Sequence, residues 1–491
     1  MPLPVAGDGL WQEGEARAFR RLTLAWMGTM MFLFSTMLLL GYFMRLFQAN
    51  AFRTMRPEWF YAVLTLHGLG MVATWFVGGM AATGYLLTRY SRPSIWISRL
   101  ALAGTLVGAG LLAAATLFGL FGTGWYFLYP LPFYSSGVWP PWATGCFFGA
   151  LALLFSVWTI WVLDLLRAIA SRFPLRQALG WHVLSGRPSL GVPSFVLVAT
   201  VSRIAGAAGL AAGMVLLGLW AVEWLRSGYS NDALLMKNLT FFFGHIITNI
   251  TMYLGVGVVY ELLPGYAGRP WKLSKALAWA WNTVLLLVVL AYAHHLYMDF
   301  AQPRVLQDTG QIVSYFLSVP AAVVSIFGGL ALVYAAPMRW TLASWLFFLG
   351  LMGWAIGGVG AVIDSTVALN SRFHNTLWVP AHFHTYYLMG VVLMLLGFAH
   401  HLAVDLTGEP ERPAMRHAIL ALLAIGGYGF LLAFYWAGAH SVPRRFAAYP
   451  RELSQGVAAA RVAVVFIALI VIAVALYLWE TARRCWRAFS A

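Results

Sequence analysis

Six histidines are the residues of this chain whose types and spacing point to chemistry: His67, His245, the adjacent pair His294 and His295, and His382 with His384. Imidazole binds copper, iron and zinc alike, so the residue type specifies metal ligation without naming the metal. Residues two apart on an α-helix differ by about 200°, so His382 and His384 point to nearly opposite faces and can serve separate metal centres on either side of one helix. His294 and His295 differ by about 100°, which lets both rings meet one small ion if a third ligand approaches from a neighbouring element; His245 is placed to do so. Taken alone, His67 reads equally well as a packing or hydrogen-bonding residue. His400 and His401 are adjacent too, but they follow His384 by about 16 residues, roughly 24 Å along a helix, and read as interfacial. His182, His417 and His440 fall in loops or at helix ends and read as solvated or structural.

The elements that must position these rings are membrane spans. Of 491 residues, 61% are hydrophobic and 10% charged, far from the roughly one-quarter charge of a soluble domain. Apolar stretches long enough to cross a bilayer core, about 20 residues each, recur along the chain. Twelve are expected, at 22–46, 59–87, 96–122, 141–167, 194–225, 234–263, 273–297, 308–336, 343–366, 377–405, 416–439 and 459–487. The expected architecture is an all-α polytopic membrane protein, residues 1–491 forming one membrane domain behind a short leader, 1–21. Arg17, Arg20 and Arg21 in that leader, with a span too long for a signal-peptide core, mark the first span as uncleaved.

The net charge of +15 does not indicate nucleic acid, because the basic residues follow the membrane. Counting alternate loops, 19 of the 31 Lys and Arg fall on one side and 11 on the other, with Arg203 inside a span. The positive-inside rule then puts both termini in the cytoplasm. With that orientation, His67, His245, His382 and His384 lie near the outer starts of their spans and His294 and His295 near the outer end of theirs. All six share the outer third to half of the membrane. Arginine counts and hydropathy are independent, and they agree. Cys146 and Cys485 have no paired spacing, so neither a disulfide framework nor a thiolate site is indicated.

At this point the residues resemble a family. The stretch HNTLWVPAHFH, His374 to His384, is similar to the tenth-helix motif of the haem-copper oxidase superfamily catalytic subunit I, a twelve-helix bundle. The resemblance implies that His382 is the axial ligand of a high-spin haem and that His384 pairs with His67 around a low-spin haem. It implies that His245 in FFFGHIITN, with His294 and His295 in AYAHHLY, holds a further metal. In SVPRRF, Arg444 and Arg445 resemble the family's double arginine, which pairs with haem propionates, and His374 belongs to the same region. The cofactors implied are two b-type haems and one copper, with non-haem iron as the alternative. The sequence looks more like the B-type branch than like the cytochrome-c-linked nitric oxide reductases.

One position departs from the family. Most oxygen reductases carry a tyrosine four residues after the sixth-helix histidine, and another branch supplies it six residues before the seventh-helix pair. Here those positions are Asn249 and Val288. Splitting dioxygen in one step takes four electrons, one of them from that tyrosine, and asparagine cannot give it. Reducing two NO to N2O and water takes two electrons. The expectation is therefore a respiratory nitric oxide reductase of denitrification, with Asn249 among its catalytic-site residues. The alternative is a terminal oxygen reductase, possibly proton-pumping, that recruits Tyr253 or Tyr292; both are poorly placed on helical geometry. Family nitric oxide reductases with non-haem iron carry a glutamate at the position of Asn249, so three neutral imidazoles favour copper. A non-catalytic electron-transfer subunit would not need the histidine triad.

Protons would reach such a site past Thr248, Thr251, Tyr260 and Glu261 of the sixth span and Ser314 and Tyr315 of the eighth; Tyr260 matches a channel tyrosine of the B-type branch. No C-x-x-C-H haem attachment motif is present. Electrons would come from quinol or through a membrane-anchored cupredoxin-like or cytochrome c subunit fed by cytochrome c or a blue-copper protein. The expected location is a bacterial or archaeal cytoplasmic membrane, with the metal sites nearer the outer side.

Overall fold

The computed structural model describes residues 10–52, 54–187, 191–299 and 302–490. The first nine residues of the leader lie outside them. The described residues form a helical bundle with a single β-bridge, Thr376 to Pro443. Eleven helices are long and apolar enough to cross a membrane, and the protein is read as integral to one.

In chain order the long helices are α1 Glu13–Gln48, α2 Pro57–Leu87, α3 Ile95–Ala113, α4 Pro141–Arg172, α5 Ser194–Leu225 and α6 Ala233–Ala267. They continue with α7 Lys275–Leu287, α8 Arg304–Val333, α9 Leu342–Ser365, α10 Trp378–Thr407, α11 Pro413–Ala439 and α12 Ser454–Ser490. The starts follow local chemistry. Pro57, Pro141 and Pro413 occupy first-turn positions where no N–H is needed. Asp232 Oδ1 accepts from Leu235 N at 2.7 Å to open α6, and Ser274 Oγ accepts from Leu277 N at 3.1 Å to open α7. Gly268, at φ 67°, closes α6 in the left-handed conformation.

Eleven of the expected spans appear as long helices. The seventh, 273–297, does not run as one α-helix. It is α7, then a turn at 288–290, then a tight 3-10 stretch, Ala291–Leu296. The break contains the β-branched Val288 and Val289, which lose rotamer freedom in a helix. It carries His294 and His295 on a 3-10 turn, the kind of departure that often marks a functional segment. Wider π turns also interrupt the bundle, at Ala114–Phe118 and, inside α10, at Tyr387–Val392, which begins three residues after His384.

Burial sorts centre from rim. The most apolar windows of α6 and α10 are 83% and 89% buried, against 28% for α8, so the helices bearing His245, His382 and His384 run through the middle. Glycines let α5 press against α6: a Cβ on Gly206, Gly209 or Gly213 would meet Ile250, Ile246 or Phe243 at 2.8–2.9 Å. Small residues at this spacing let two helix backbones close up where lipid supplies no hydrophobic drive between them. Inside the bundle, Trp26 stacks on Trp161 at 4.6 Å and its Nε1 donates to Ser98 Oγ at 3.1 Å, tying α1 to α3 and α4. Arg203, fully buried on α5, donates to Thr83 Oγ1 at 2.5 Å and to the Ala199 carbonyl at 3.2 Å.

Candidate metal centre

Three histidines converge. The ring nitrogens of His245, His294 and His295 supply one set of possible ligand atoms all within 4.8 Å of one another, the one such group among the described residues. His245 Nδ1 lies 3.3 Å from His295 Nε2. Two nitrogens bound at about 2.0–2.1 Å to one tetrahedral ion lie roughly 3.3–3.4 Å apart, so this edge already has the span that a single metal requires. The third ring is oriented from outside the trio: His294 Nδ1 meets Ser314 Oγ at 3.0 Å, while that hydroxyl donates to the Gly310 carbonyl at 2.6 Å. Ser314 must therefore accept, His294 holds its proton on Nδ1, and Nε2 keeps a lone pair for a metal. Phe241 stacks on His295 at 5.4 Å and limits its rotation.

A second arrangement joins α2 to α10. The rings of His67 and His384 face each other, nearly parallel at 18°, with centroids 6.5 Å apart. One iron bridged by two imidazoles at about 2 Å per bond puts the centroids roughly 6.3 Å apart; direct stacking would be closer. Both outer nitrogens are committed to main-chain acceptors: His67 Nδ1 to the Met37 carbonyl and His384 Nδ1 to the Pro380 carbonyl, each at 2.7 Å. Each Nε2 is left as the free donor to a metal. Gly41 of α1 closes against the His67 ring, where a Cβ would come within 2.7 Å of Cε1.

His382 points the other way. Its Nε2 lies 3.8 Å from Asp364 Oδ2, and Gly360 of α9 leaves the space in which a Cβ would come within 2.5 Å of Nδ1. His384 instead packs on Phe430 of α11 at 5.3 Å. The opposite faces expected from the spacing are present. His382 Nδ1 is buried without a hydrogen-bond partner.

At the end of the bundle where these sites lie, Asn375 and the 441–445 loop build a cationic corner. Arg444 Nη2 donates to Asn375 Oδ1 at 3.1 Å, and its backbone N–H donates to the Asn375 carbonyl at 2.9 Å. Arg445 lies 4.1 Å from the Tyr126 ring centroid. No carboxylate among the described residues pairs with either guanidinium, and Arg444 Nε is buried without a partner. Burial and the neighbouring Arg445 push Arg444 down to about 9. Burial, then Arg444 and Arg445, push His374 down to about 4, so it is neutral at ordinary pH. An anionic group would relieve both guanidiniums, which is what the propionates of a haem provide.

The residue one turn beyond His245 is linked further than its spacing implies. Asn249 Nδ2 donates to the His245 carbonyl at 2.8 Å, which fixes the amide so that Oδ1 accepts from Tyr253 OH at 3.2 Å. Nδ2 also lies 3.2 Å from His245 Nε2. Tyr253 thus reaches the centre through Asn249, closer than helical geometry alone indicated. Tyr292 turns away, donating to Asn238 Oδ1 at 3.2 Å.

The six expected proton-path residues are not one hydrogen-bonded line. Thr251 bonds Tyr387 OH at 2.5 Å, and that phenol donates to the Thr248 carbonyl at 3.0 Å. Tyr260 bonds Ser325 at 2.6 Å, across to α8. Glu261 is taken by Arg89 at 2.8 Å and Tyr90 at 2.7 Å, Tyr315 by Thr366 at 2.5 Å, and Ser314 by His294. Sequence reasoning missed Arg45, whose guanidinium lies 4.9 Å from the Phe434 ring centroid beside His384, and Asp364 beside His382. The available signal for both was a lone charge near the end of an apolar span.

An all-helical membrane bundle with facing imidazoles on one side of α10 and a three-histidine cluster on the other defines a haem-copper oxidase subunit I fold. The chain belongs to the family described as Cytochrome C and Quinol oxidase polypeptide I, whose model matches residues 21–480. Cytochrome c oxidase subunit 1 of Thermus thermophilus is 28% identical over 267 residues, 50% of this chain and 47% of that protein. Cytochrome c oxidase subunit 1 of Thermostichus vulcanus is 25% identical over 417 residues, covering 80% of this chain and 70% of that one. The chain thus spans about half the length of the Thermus relative. A heme-copper terminal oxidase dimer solved by cryo-EM superposes with a TM-score of 0.75 at 19% identity, over 95% of this chain and 84% of that one, a likeness of fold. Membership implies haem groups and a further metal.

Proposed function

We propose that this chain is the catalytic subunit of a respiratory nitric oxide reductase that converts two NO, two electrons and two protons to N2O and water. The observation that carries the reading is Asn249 in the turn after His245. His67 and His384 would hold one haem, His382 a second, and His245, His294 and His295 a copper. When bound, these groups supply the electrons. The chain's own residues orient them: Met37, Pro380 and Ser314 each fix a proton on the outer nitrogen of a ligand ring. Arg444 and Arg445, with His374 beside them, would seat propionates, and Asn249 contributes an amide that gives up no electron.

His245 presents Nδ1 to His295 Nε2, so in a neutral ligand binding through Nδ1 the proton would sit on Nε2. Its nearest side-chain neighbour is Asn249, and Oδ1 has a second lone pair beside the one used by Tyr253. Nδ2 is the atom that faces Nε2 here, so a flip of the amide, exchanging its bonds to the His245 carbonyl and Tyr253, would supply the acceptor by which Asn249 orients the ligand. The Tyr260–Ser325 and Tyr387–Thr251 pairs supply hydroxyls for proton movement between α6, α8 and α10.

The Tyr253 bond to Asn249 favours a second reading, an oxygen reductase in which Tyr253 supplies the fourth electron across the amide. The names of the curated relatives fit that reading as well. Purified, reduced holoenzyme given NO and O2 separately decides between them. N2O formation well above oxygen uptake supports the reductase; rapid oxygen uptake with negligible N2O overturns it. Electrons would enter from quinol or through a membrane-anchored cupredoxin-like or cytochrome c subunit.

A further inference from the structure

Between the first turns of α1 and α3 lies a groove of about 370 Å³, lined by Arg17, Arg21, Arg99, Ala18, Leu22 and Ala25. Arg17 and Arg21 are one helical turn apart and so share a face. Arg17 is met by Glu13 at 3.0 Å. No carboxylate among the described residues lies within salt-bridge reach of Arg21 or Arg99, and Arg99 leans over the exposed Trp96 ring at 5.1 Å. Among the described residues, two cations are therefore left without a paired carboxylate above an apolar floor.

The depth of the groove identifies its surroundings. Helix α1 has 36 residues, whereas about 20 cross the hydrocarbon core, so its charged first turns lie at headgroup level. The Trp26 to Ser98 bond holds α1 and α3 level there. Below Arg21 the same face of α1 continues through Ala25 and Gly28 to the exposed Phe32, and below Arg99 α3 continues through Ala103 to the exposed Leu106. A Cβ on Gly28 would meet nothing within 4 Å. The track is narrow-sided and apolar, and it starts under the cations.

We propose that this groove binds one anionic diacyl phospholipid of the leaflet it faces, its phosphate between Arg21 and Arg99 and one acyl chain along Ala25, Gly28 and Ala103. Charge complementarity selects the headgroup, and the apolar continuation selects a lipid over a free anion. Each interfacial arginine contributes an attraction large enough that losing two weakens binding roughly 30-fold.

The test uses the purified holoenzyme in nanodiscs and native mass spectrometry, with phosphatidylglycerol and phosphatidylcholine as probes. The expected result is one retained phosphatidylglycerol per chain in the parent and its loss from Arg21→Gln/Arg99→Gln. Gly28→Leu keeps both arginines and has room for its side chain; it is expected to weaken retention by obstructing the acyl track. Equal retention by the double variant, equal retention of phosphatidylcholine, or displacement by inorganic phosphate alone would each overturn the proposal. If the double variant does not fold, Arg99→Gln alone, an exposed position, reads the same retention.

Discussion

At the residue scale, imidazole orientation decides what each histidine can do. His67→Ala removes one of two facing rings, and the expected outcome is one haem per chain instead of two in the pyridine haemochrome spectrum, with copper content unchanged. Asn249→Leu leaves His245 Nε2 without an acceptor. Loss of such an outer partner typically costs about 10–100-fold in metal affinity, so chelator competition should find copper bound that much more weakly, with Asn249→Asp close to the parent. Tyr253→Phe separates the two functional readings. NO reduction should stay within about fivefold, since the lost neutral hydrogen bond is worth about 1 kcal/mol and serves only to steady the amide. Collapse of oxygen turnover in the same variant would instead identify Tyr253 as an electron source.

The candidate histidines were legible because chemistry had to be placed in apolar sequence, where a histidine stands out. Their partners were not. Met37 and Pro380 act through carbonyls that every residue possesses, and Asn249 meets Tyr253 through a side-chain rotation that helical spacing does not encode.

At the element scale, hydropathy located the helices well: α5 begins and ends where the apolar run does, at 194 and 225. It did not reveal the 3-10 turn that carries His294 and His295 or the π turn after His384. Those departures depend on tertiary contacts, and the local sequence stays apolar through them. The glycine contacts between α5 and α6 were equally invisible, since glycine is common in membrane helices for several reasons. Gly209→Leu should overfill the contact with Ile246, destabilising the bundle by about 1–3 kcal/mol. Thermal unfolding in detergent measures this, and copper content should fall with it because α6 carries His245. Gly41→Ala is the contrasting case. It presses on His67, so the low-spin haem spectrum should shift while the three-histidine site keeps its copper.

At the scale of the whole molecule, two metal-capable regions sit on opposite faces of one central helix, and α10 is both their partition and their common support. Charge counting assigns the face bearing Arg444 and Arg445 to the outside. A protease-cleavable tag on the carboxyl terminus should accordingly be cut in inside-out vesicles and spared in right-side-out cells. The opposite pattern would invert the orientation and move the phospholipid groove to the other leaflet.

The anchoring of His67 and His384 on carbonyls has a consequence for inheritance. A tether made from main-chain oxygen does not depend on which side chain its own residue carries, whereas Gly41, one turn on, must stay small for the ring to keep its aim. What cannot drift is the path of the chain itself: an inserted or deleted residue between Met37 and Gly41 would rotate the tether away in one event.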